Sequence, residues 1–342
     1  MLRTSNKWDQ RIDRARELAT AYPFSAHILL FYAKLTAFQK DSYLQLQSSN
    51  GFGNGRCRSL PPALDEVDLG LLMARFGPFV SMMAREGPAP LAEFAHGLNG
   101  RSPSAAAALL RSFWFEDRPD ATEAGGDPRA SLAPRQARGG ERSGTAGAQT
   151  TLPPQQAFVR VAPTSTGECE SARPKPHDEQ PKGGRDARST GRLSHFERFW
   201  AQAFLQPYAE FLADHADLAT PVRRPICPYC GSPPLVGVLR EEGDGAKRSL
   251  VCSFCRTEWD YLRIACPACE ESREEKLCVY SAPAFDCVRL DACDTCRSYI
   301  QTIDLTQNGL AVPEVDGLAA LPLTLWADEK GYKKVARNIL VL

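Results

Sequence analysis

Eight cysteines in this sequence fall into four Cys-x-x-Cys pairs: Cys227/Cys230, Cys252/Cys255, Cys266/Cys269 and Cys293/Cys296. Two thiols three positions apart share one tight turn, and two such turns brought together present four sulfurs at the corners of a tetrahedron. Soft thiolate donors in that arrangement select zinc or iron over harder cations. The gaps between successive pairs hold 21, 10 and 23 residues, a long–short–long rhythm that joins the first pair to the second and the third to the fourth. The alternative is a set of disulfides or reduced, buried thiols.

The stretch also repeats itself. Cys-Pro-Tyr-Cys at 227–230 returns as Cys-Pro-Ala-Cys at 266–269, and Cys-Ser-Phe-Cys-Arg-Thr at 252–257 returns as Cys-Asp-Thr-Cys-Arg-Ser at 293–298. In each leading pair a proline, Pro228 or Pro267, fixes φ and removes one amide from a crowded turn. Gly231 can take a positive φ and turn backbone N–H groups toward the sulfurs. Four thiolates around a divalent ion leave excess negative charge, and Arg256 and Arg297, each placed just after a closing pair, are candidates to offset it. Surface solvation is the alternative for both.

Other chemistries find less support. A redox Cys-x-x-Cys needs a thiolate of lowered pKa, commonly at a helix N-terminus after a strand; here the pairs sit among predicted hairpins and occur four times. Between 221 and 300 there are 11 basic and 12 acidic residues, so no basic face is offered to phosphates and no nucleic acid is expected as partner. Formal net charge over all 342 residues is zero. There is no nucleophile–base set, phosphate-cradling glycine loop or His-Glu metal motif. A closed four-cysteine site lacks an open position for substrate, so no enzyme activity is expected. Clustered cysteines without a signal-peptide pattern, and apolar runs too short to span a bilayer, place the chain as soluble and cytoplasmic, without membrane insertion.

The elements around the pairs follow from periodicity. Hairpin arms are predicted at 235–240 with 248–251, and at 276–281 with 285–290. In the second hairpin Cys278 and Cys287 lie symmetrically about the turn and are expected across from each other, either as a thiol pair or as small buried hydrophobes. Upstream, helices are predicted over 8–20, from Ser25 to Leu46, over 64–85 with a break at Gly77-Pro78, over 89–98 and over 104–116 with Ser102 or Ser104 as cap. Residues 117–192, rich in Gly, Pro, Ser and Arg, read as a disordered linker or insertion. Cys57, Cys169 and His177 have no ligand-spaced partners, and Phe158-Val159 reads as a chance apolar pair. Ser194 to Glu197 has the form of a capping box, opening a helix whose aromatic stripe from Phe196 to Phe211 marks a core-facing side and which Pro207 is expected to kink.

Several of these residues closely resemble one family. Cys227-Pro-Tyr-Cys-Gly-Ser-Pro-Pro, Cys252-Ser-Phe-Cys-Arg-Thr-Glu-Trp259, Arg263, Cys266-Pro-Ala-Cys269, Cys293-Asp-Thr-Cys-Arg-Ser-Tyr299, Leu321-Pro-Leu-Thr-Leu-Trp326 and Glu329-Lys-Gly-Tyr332 are similar to the formate dehydrogenase accessory proteins called FdhE. The resemblance is weak over 1–116 and strong over 194–342. It implies a cytoplasmic, non-enzymatic maturation factor that acts on the catalytic subunit of respiratory formate dehydrogenase before export. It further implies iron in rubredoxin-like sites, held by Cys227, Cys230, Cys252, Cys255, Cys266, Cys269, Cys293 and Cys296, with zinc as the alternative metal. No family role attaches to Cys278 or Cys287.

The fold class expected is α+β: an N-terminal all-helical domain followed by two rubredoxin-like or zinc-ribbon β modules. The expected divisions are 1–116 and 193–220 for the helical domain, 117–192 for the insertion, 221–264 and 265–304 for the two ribbons, and 305–342 for a C-terminal tail. Whether the chain forms a homo-oligomer is left open by the sequence.

Overall fold

The structure is a computed structural model that describes residues 3–48, 64, 66–98, 102–115, 159–161, 193–216, 223–336 and 340. Cys57, Cys169 and His177 lie outside the described residues, as does nearly all of 117–192. The architecture is α+β: a helical layer from the N-terminal part packed on a sheet that carries the cysteines.

Helix α1 (Arg3–Ala21) turns through a 3-10 segment, Pro23–Ser25, into α2 (Ala26–Ser48). The Ser25 hydroxyl donates to the Tyr22 carbonyl and closes that turn. The break in the next helical stretch differs from expectation. Helix α3 (Glu66–Met73) stops before Arg75 and α4 runs from Phe76 to Glu86, so Gly77-Pro78 lies in the first turn of α4. A proline there is well tolerated, because first-turn amides have no intrahelical acceptor. Helix α5 (Ala89–Leu98) and α6 (Pro103–Phe115) follow, and the Ser102 hydroxyl accepts from the Ala105 amide at the start of α6. Helix α7 (His195–Asp214) opens with the complete reciprocal capping box of Ser194 and Glu197 and runs on across Pro207.

The aromatic stripe of α7 is core, as its spacing implies. Trp200 and Phe204 meet Phe79 at ring-centroid distances of 5.1 and 5.3 Å, and Tyr208 meets Trp114 at 5.4 Å. Among the described residues no helix is long and apolar enough to cross a membrane.

The sheet is built from two copies of one plan. The first copy is the hairpin β2 (Pro234–Glu242) and β3 (Gly245–Cys252) with a short β4 (Glu258–Asp260); the second is β5 (Leu277–Ser281), β6 (Val288–Cys293) and β7 (Ser298–Asp304). Parallel pairing of β2 with β7, Val236 opposite Gln301 through Leu239 opposite Asp304, fuses both copies into one sheet. A three-residue strand β1 (Val159–Val161) adds antiparallel to β5, and β8 (Lys333–Lys334) pairs with β7. The resulting order is β1-β5-β6-β7-β2-β3-β4. Strand β1 was not foreseen, since three residues inside a polar stretch give too short an alternation to read.

Residues 313–329 form two helices, α8 (Pro313–Ala319) and α9 (Leu321–Glu329). Gly317 lets α8 sit close on the sheet: a Cβ there would come within 3.2 Å of Val236 Cγ1 and 3.3 Å of Gln301 Oε1. A buried charge cluster ties α1 to the rest. Arg11 donates to both oxygens of Glu210 (3.0 and 2.9 Å) on α7 and also to Glu314 on α8, while Arg14 grips Asp316 at 3.1 and 2.6 Å.

Candidate metal centres

Each pair of cysteines occupies the turn that enters or leaves a hairpin. Cys227 and Cys230 precede β2, while Cys252 ends β3 and Cys255 follows in the next turn; Cys266 and Cys269 precede β5, while Cys293 ends β6 and Cys296 follows. Because both hairpin arms have matched lengths, the entering and leaving turns meet at one end of the hairpin. The sulfurs accordingly gather in the two sets expected from the spacing, Cys227/Cys230/Cys252/Cys255 and Cys266/Cys269/Cys293/Cys296, with the atoms of each set all within 4.8 Å of one another. Closest approaches are 3.4 and 3.6 Å in the first set and 3.7 Å twice in the second.

The local backbone repeats four times. The residue after each pair is left-handed: Gly231 (φ 77°), Arg256 (57°), Glu270 (58°) and Arg297 (56°). This reversal lets the Gly231 amide bond the Cys227 carbonyl and the Glu270 amide bond the Cys266 carbonyl. It also aims amides at sulfur, with Phe254 N–H on Cys252 Sγ (3.3 Å) and Ala268 N–H on Cys266 Sγ (3.4 Å). Such donors favour the ionised form of a thiol.

The arginines after the closing pairs behave differently from the charge-offsetting role considered above. Arg256 donates to the carbonyls of Cys252 and Ser253, at 3.3 and 3.1 Å. Arg297 bonds Asp294 at 2.9 Å and the Lys330 carbonyl at 2.6 Å, and lies 3.9 Å over the Tyr332 ring. Among their described hydrogen bonds, none goes to a cysteine sulfur; both guanidiniums hold the turn rather than the sulfurs.

Ionisation within each set is uneven. Burial pushes the Cys252 and Cys255 thiols well up. Burial opposes charge on Cys230 too, but hydrogen bonds from Cys227, Cys252 and Cys255 outweigh it and hold that thiol well below its ordinary range. In the second set hydrogen bonds from Cys266 and Cys293 hold Cys296 far down, while burial raises Cys269 to about 12. The charged form is thus favoured at one sulfur of each set, Cys230 and Cys296, and because metal ligands bind as thiolates, uptake of a cation releases protons.

The donors fit a tetrahedral metal. With metal–sulfur bonds of about 2.3 Å, a regular tetrahedron has sulfur–sulfur edges of about 3.8 Å, slightly longer than the contacts here. Each set can hold one ion, and the donor chemistry suits iron and zinc alike.

The two sets sit in different surroundings. All four cysteines of the first are buried, whereas Cys269 and Cys296 of the second are half-buried. Phe254, inside the Cys252–Cys255 turn, packs edge-on against Phe113 and Trp114 of α6, and Gln202 of α7 donates to the Ser253 carbonyl at 3.2 Å. The helical layer therefore covers the first set.

Cys278 and Cys287 do not face each other. Cys278 lies opposite Ala292, Cys287 precedes β6, and the connection between the arms spans 282–287. Cys287 is a free thiol, and Cys278 Sγ lies 3.5 Å from Asp294 Oδ2.

Comparison with known proteins bears on this same region. Residues 226–263 match the model of the FdhE central domain and residues 264–341 that of the FdhE C-terminal domain. The cysteine-bearing part is similar to the FdhE family. An FdhE homolog of Aquifex aeolicus is 37% identical over 146 residues, 42% of this chain and 51% of that protein. One from Pseudomonas aeruginosa is 38% identical over 125 residues, 34% of this chain and 40% of that one. The chain thus spans about half the length of these FdhE relatives or less. The crystal structure of the FdhE protein from Pseudomonas aeruginosa superposes with a TM-score of 0.57 at 19% identity, covering 99% of this chain and 97% of that one, which shows a shared fold along the chain.

Proposed function

We propose that this protein is an accessory factor for maturation of respiratory formate dehydrogenase. It binds the catalytic subunit of that enzyme in the cytoplasm, before export, and it is not itself an enzyme. Iron is the metal we assign to Cys227, Cys230, Cys252, Cys255 and to Cys266, Cys269, Cys293, Cys296, with zinc as the alternative. The observation that carries this reading is the gathering of all eight sulfurs into two four-sulfur sets within the residues that match both FdhE domains. A four-sulfur site leaves no coordination position for substrate, which favours a stabilised binding module over a catalyst.

The test is a pull-down of the formate dehydrogenase catalytic subunit on the tagged chain, with metal analysis of the same anaerobic preparation. Retention of the subunit together with about two metal ions per chain is expected. Failure to retain the subunit, with all eight thiols titrating freely and turnover of a disulfide substrate, would replace this reading with a thiol–disulfide oxidoreductase.

A further inference from the structure

The two closing turns are equivalent in sequence but are braced from different directions. Ser253 and Phe254 of the first turn correspond to Asp294 and Thr295 of the second. The helical layer holds the first turn, through Phe254 against α6 and Gln202 on the Ser253 carbonyl. The second turn lacks that aromatic anchor. Its Thr295 hydroxyl donates to Glu271 Oε2 at 2.7 Å, just past the opening pair, and its outer brace comes from the segment that follows α9.

Gly331, at φ 77°, ends α9: its amide donates to the Asp328 carbonyl, and the Tyr332 amide returns to the Ala327 carbonyl, both at 2.9 Å. A left-handed glycine commonly closes a helix in this way, and here the reversal lays residues 332–335 along the turn. Tyr332 is buried, and its hydroxyl donates to Asp294 Oδ1 at 2.6 Å. Arg297 Nη1 donates to the same oxygen at 2.9 Å and Nη2 to the Lys330 carbonyl at 2.6 Å, while the guanidinium lies 3.9 Å over the Tyr332 ring. The backbone continues the grip, with the Lys333 amide on the Arg297 carbonyl (2.8 Å) and the Val335 amide on the Tyr299 carbonyl (2.9 Å). Lys334 Nζ donates to Gln301 Oε1 at 2.5 Å.

These contacts all land on 294–301. Asp294 lies between Cys293 and Cys296, and Arg297 directly follows Cys296 in a backbone conformation, φ 56°, that an L-residue resists. Charge-assisted bonds to Asp294 are strong enough to hold such a turn. A tetrahedral ion on the four sulfurs demands the same turn geometry. Two events that each stabilise one conformation must strengthen one another by an equal factor.

We infer that residues 330–335 form a clasp on the second sulfur set, with Tyr332 as a positioning residue, so that metal there and docking of the clasp each tighten the other. The inference rests on metal occupying that set and not on the maturation role proposed above.

The experiment uses the full chain loaded with zinc and has two arms. Tyr332→Phe removes the hydroxyl and keeps the ring. Release of one of the two ions to a chelator should become about tenfold faster, as loss of a hydrogen bond to a charged group implies, while release of the other is unchanged. With Cys266→Ser and Cys269→Ser already in place, the same substitution should leave release of the remaining ion unaltered. The second arm reads the coupling in reverse by limited trypsin digestion. Cutting after Lys330 and Lys333 should be at least about fivefold faster in Cys266→Ser/Cys269→Ser than in the zinc-loaded parent. Arg289 should stay protected in both, because β6 is paired on either side by β5 and β7. Equal acceleration of both ions by Tyr332→Phe, acceleration of neither, or cutting at Arg289 together with Lys330 would each overturn the clasp. A parent chain that takes up no zinc at the second set would remove the metal assignment and the clasp with it, whereas about two bound ions with release unmoved by Tyr332→Phe would remove the clasp alone.

Discussion

Glu270 is exposed and holds a left-handed backbone at φ 58°, the place in its turn that Gly231 fills at φ 77°. An L-residue pays about 1–2 kcal/mol for that conformation, and glycine does not. Replacing Glu270 by glycine should therefore raise stability by up to about 1 kcal/mol, part of the relief being offset by the greater freedom of the unfolded chain. Replacing it by valine should lower stability by about 1–2 kcal/mol, since a β-branched residue resists positive φ. Thermal melts of the metal-loaded variants check this, and the order Gly above Glu above Val is the expected outcome. At this scale the sequence was only partly legible. Gly231 announced its conformation, but Arg256, Glu270 and Arg297 did not, because the closing turn imposes the left-handed backbone against residue preference. The arginines were conspicuous for another reason, their repeated position, and that signal pointed to sulfur charge when the side chains hold carbonyls and Asp294.

Helices α1, α7 and α8 meet through Arg11, Glu210 and Glu314, all buried. Removing the cation leaves two carboxylates in the interior, so Arg11→Met should cost about 3–5 kcal/mol in denaturant unfolding. Glu314 gives the pH dependence. Burial opposes its charge, but Arg11 and Arg256 outweigh burial and lower its pKa. A lowered carboxyl stabilises the fold above its unfolded pKa of about 4.3, and the contribution disappears as pH falls toward the folded value. The stability gap between the parent chain and Glu314→Gln should accordingly be full at pH 6 and shrink below about pH 4. Comparing the two chains at each pH cancels the loss of metal from thiolate protonation, which they share. None of this pairing is visible in periodicity. Local patterns placed α2, α5, α6 and α7 to within two residues and set the aromatic face of α7 inward, but gave no helix for α8 or α9, whereas Arg11 finds Glu210 and Glu314 at separations of 199 and 303 residues. The same limit explains β1, whose partner among the described residues is a strand more than a hundred residues downstream.

Across the whole molecule, duplication made two similar sites and topology made them unequal. Spacing alone gave the sulfur pairing, because a hairpin returns its closing turn to its opening one. It did not reveal that β2 and β7 run parallel and fuse the copies into one sheet, with the helical layer over the first set. Cys227, Cys230, Cys252 and Cys255 belong to the main apolar core together with Trp200 and Phe254. Cys269 and Cys296 stay half-buried at the other end of the sheet order. A chelator must reach sulfur or metal directly, so the first site opens only when the helical layer lifts, and the second does so from the native fold. Metal release to an excess of chelator should consequently be biphasic, with roughly equal amplitudes when both sites are loaded. Cys266→Ser with Cys269→Ser should delete the fast phase and leave the slow one. Cys227→Ser with Cys230→Ser should delete the slow phase and also lower the melting temperature of the entire chain, since core aromatic rings lose the turn they pack on. Release in one phase from the parent chain, or a fast phase that survives loss of Cys266 and Cys269, would show that burial does not govern access to the two sites.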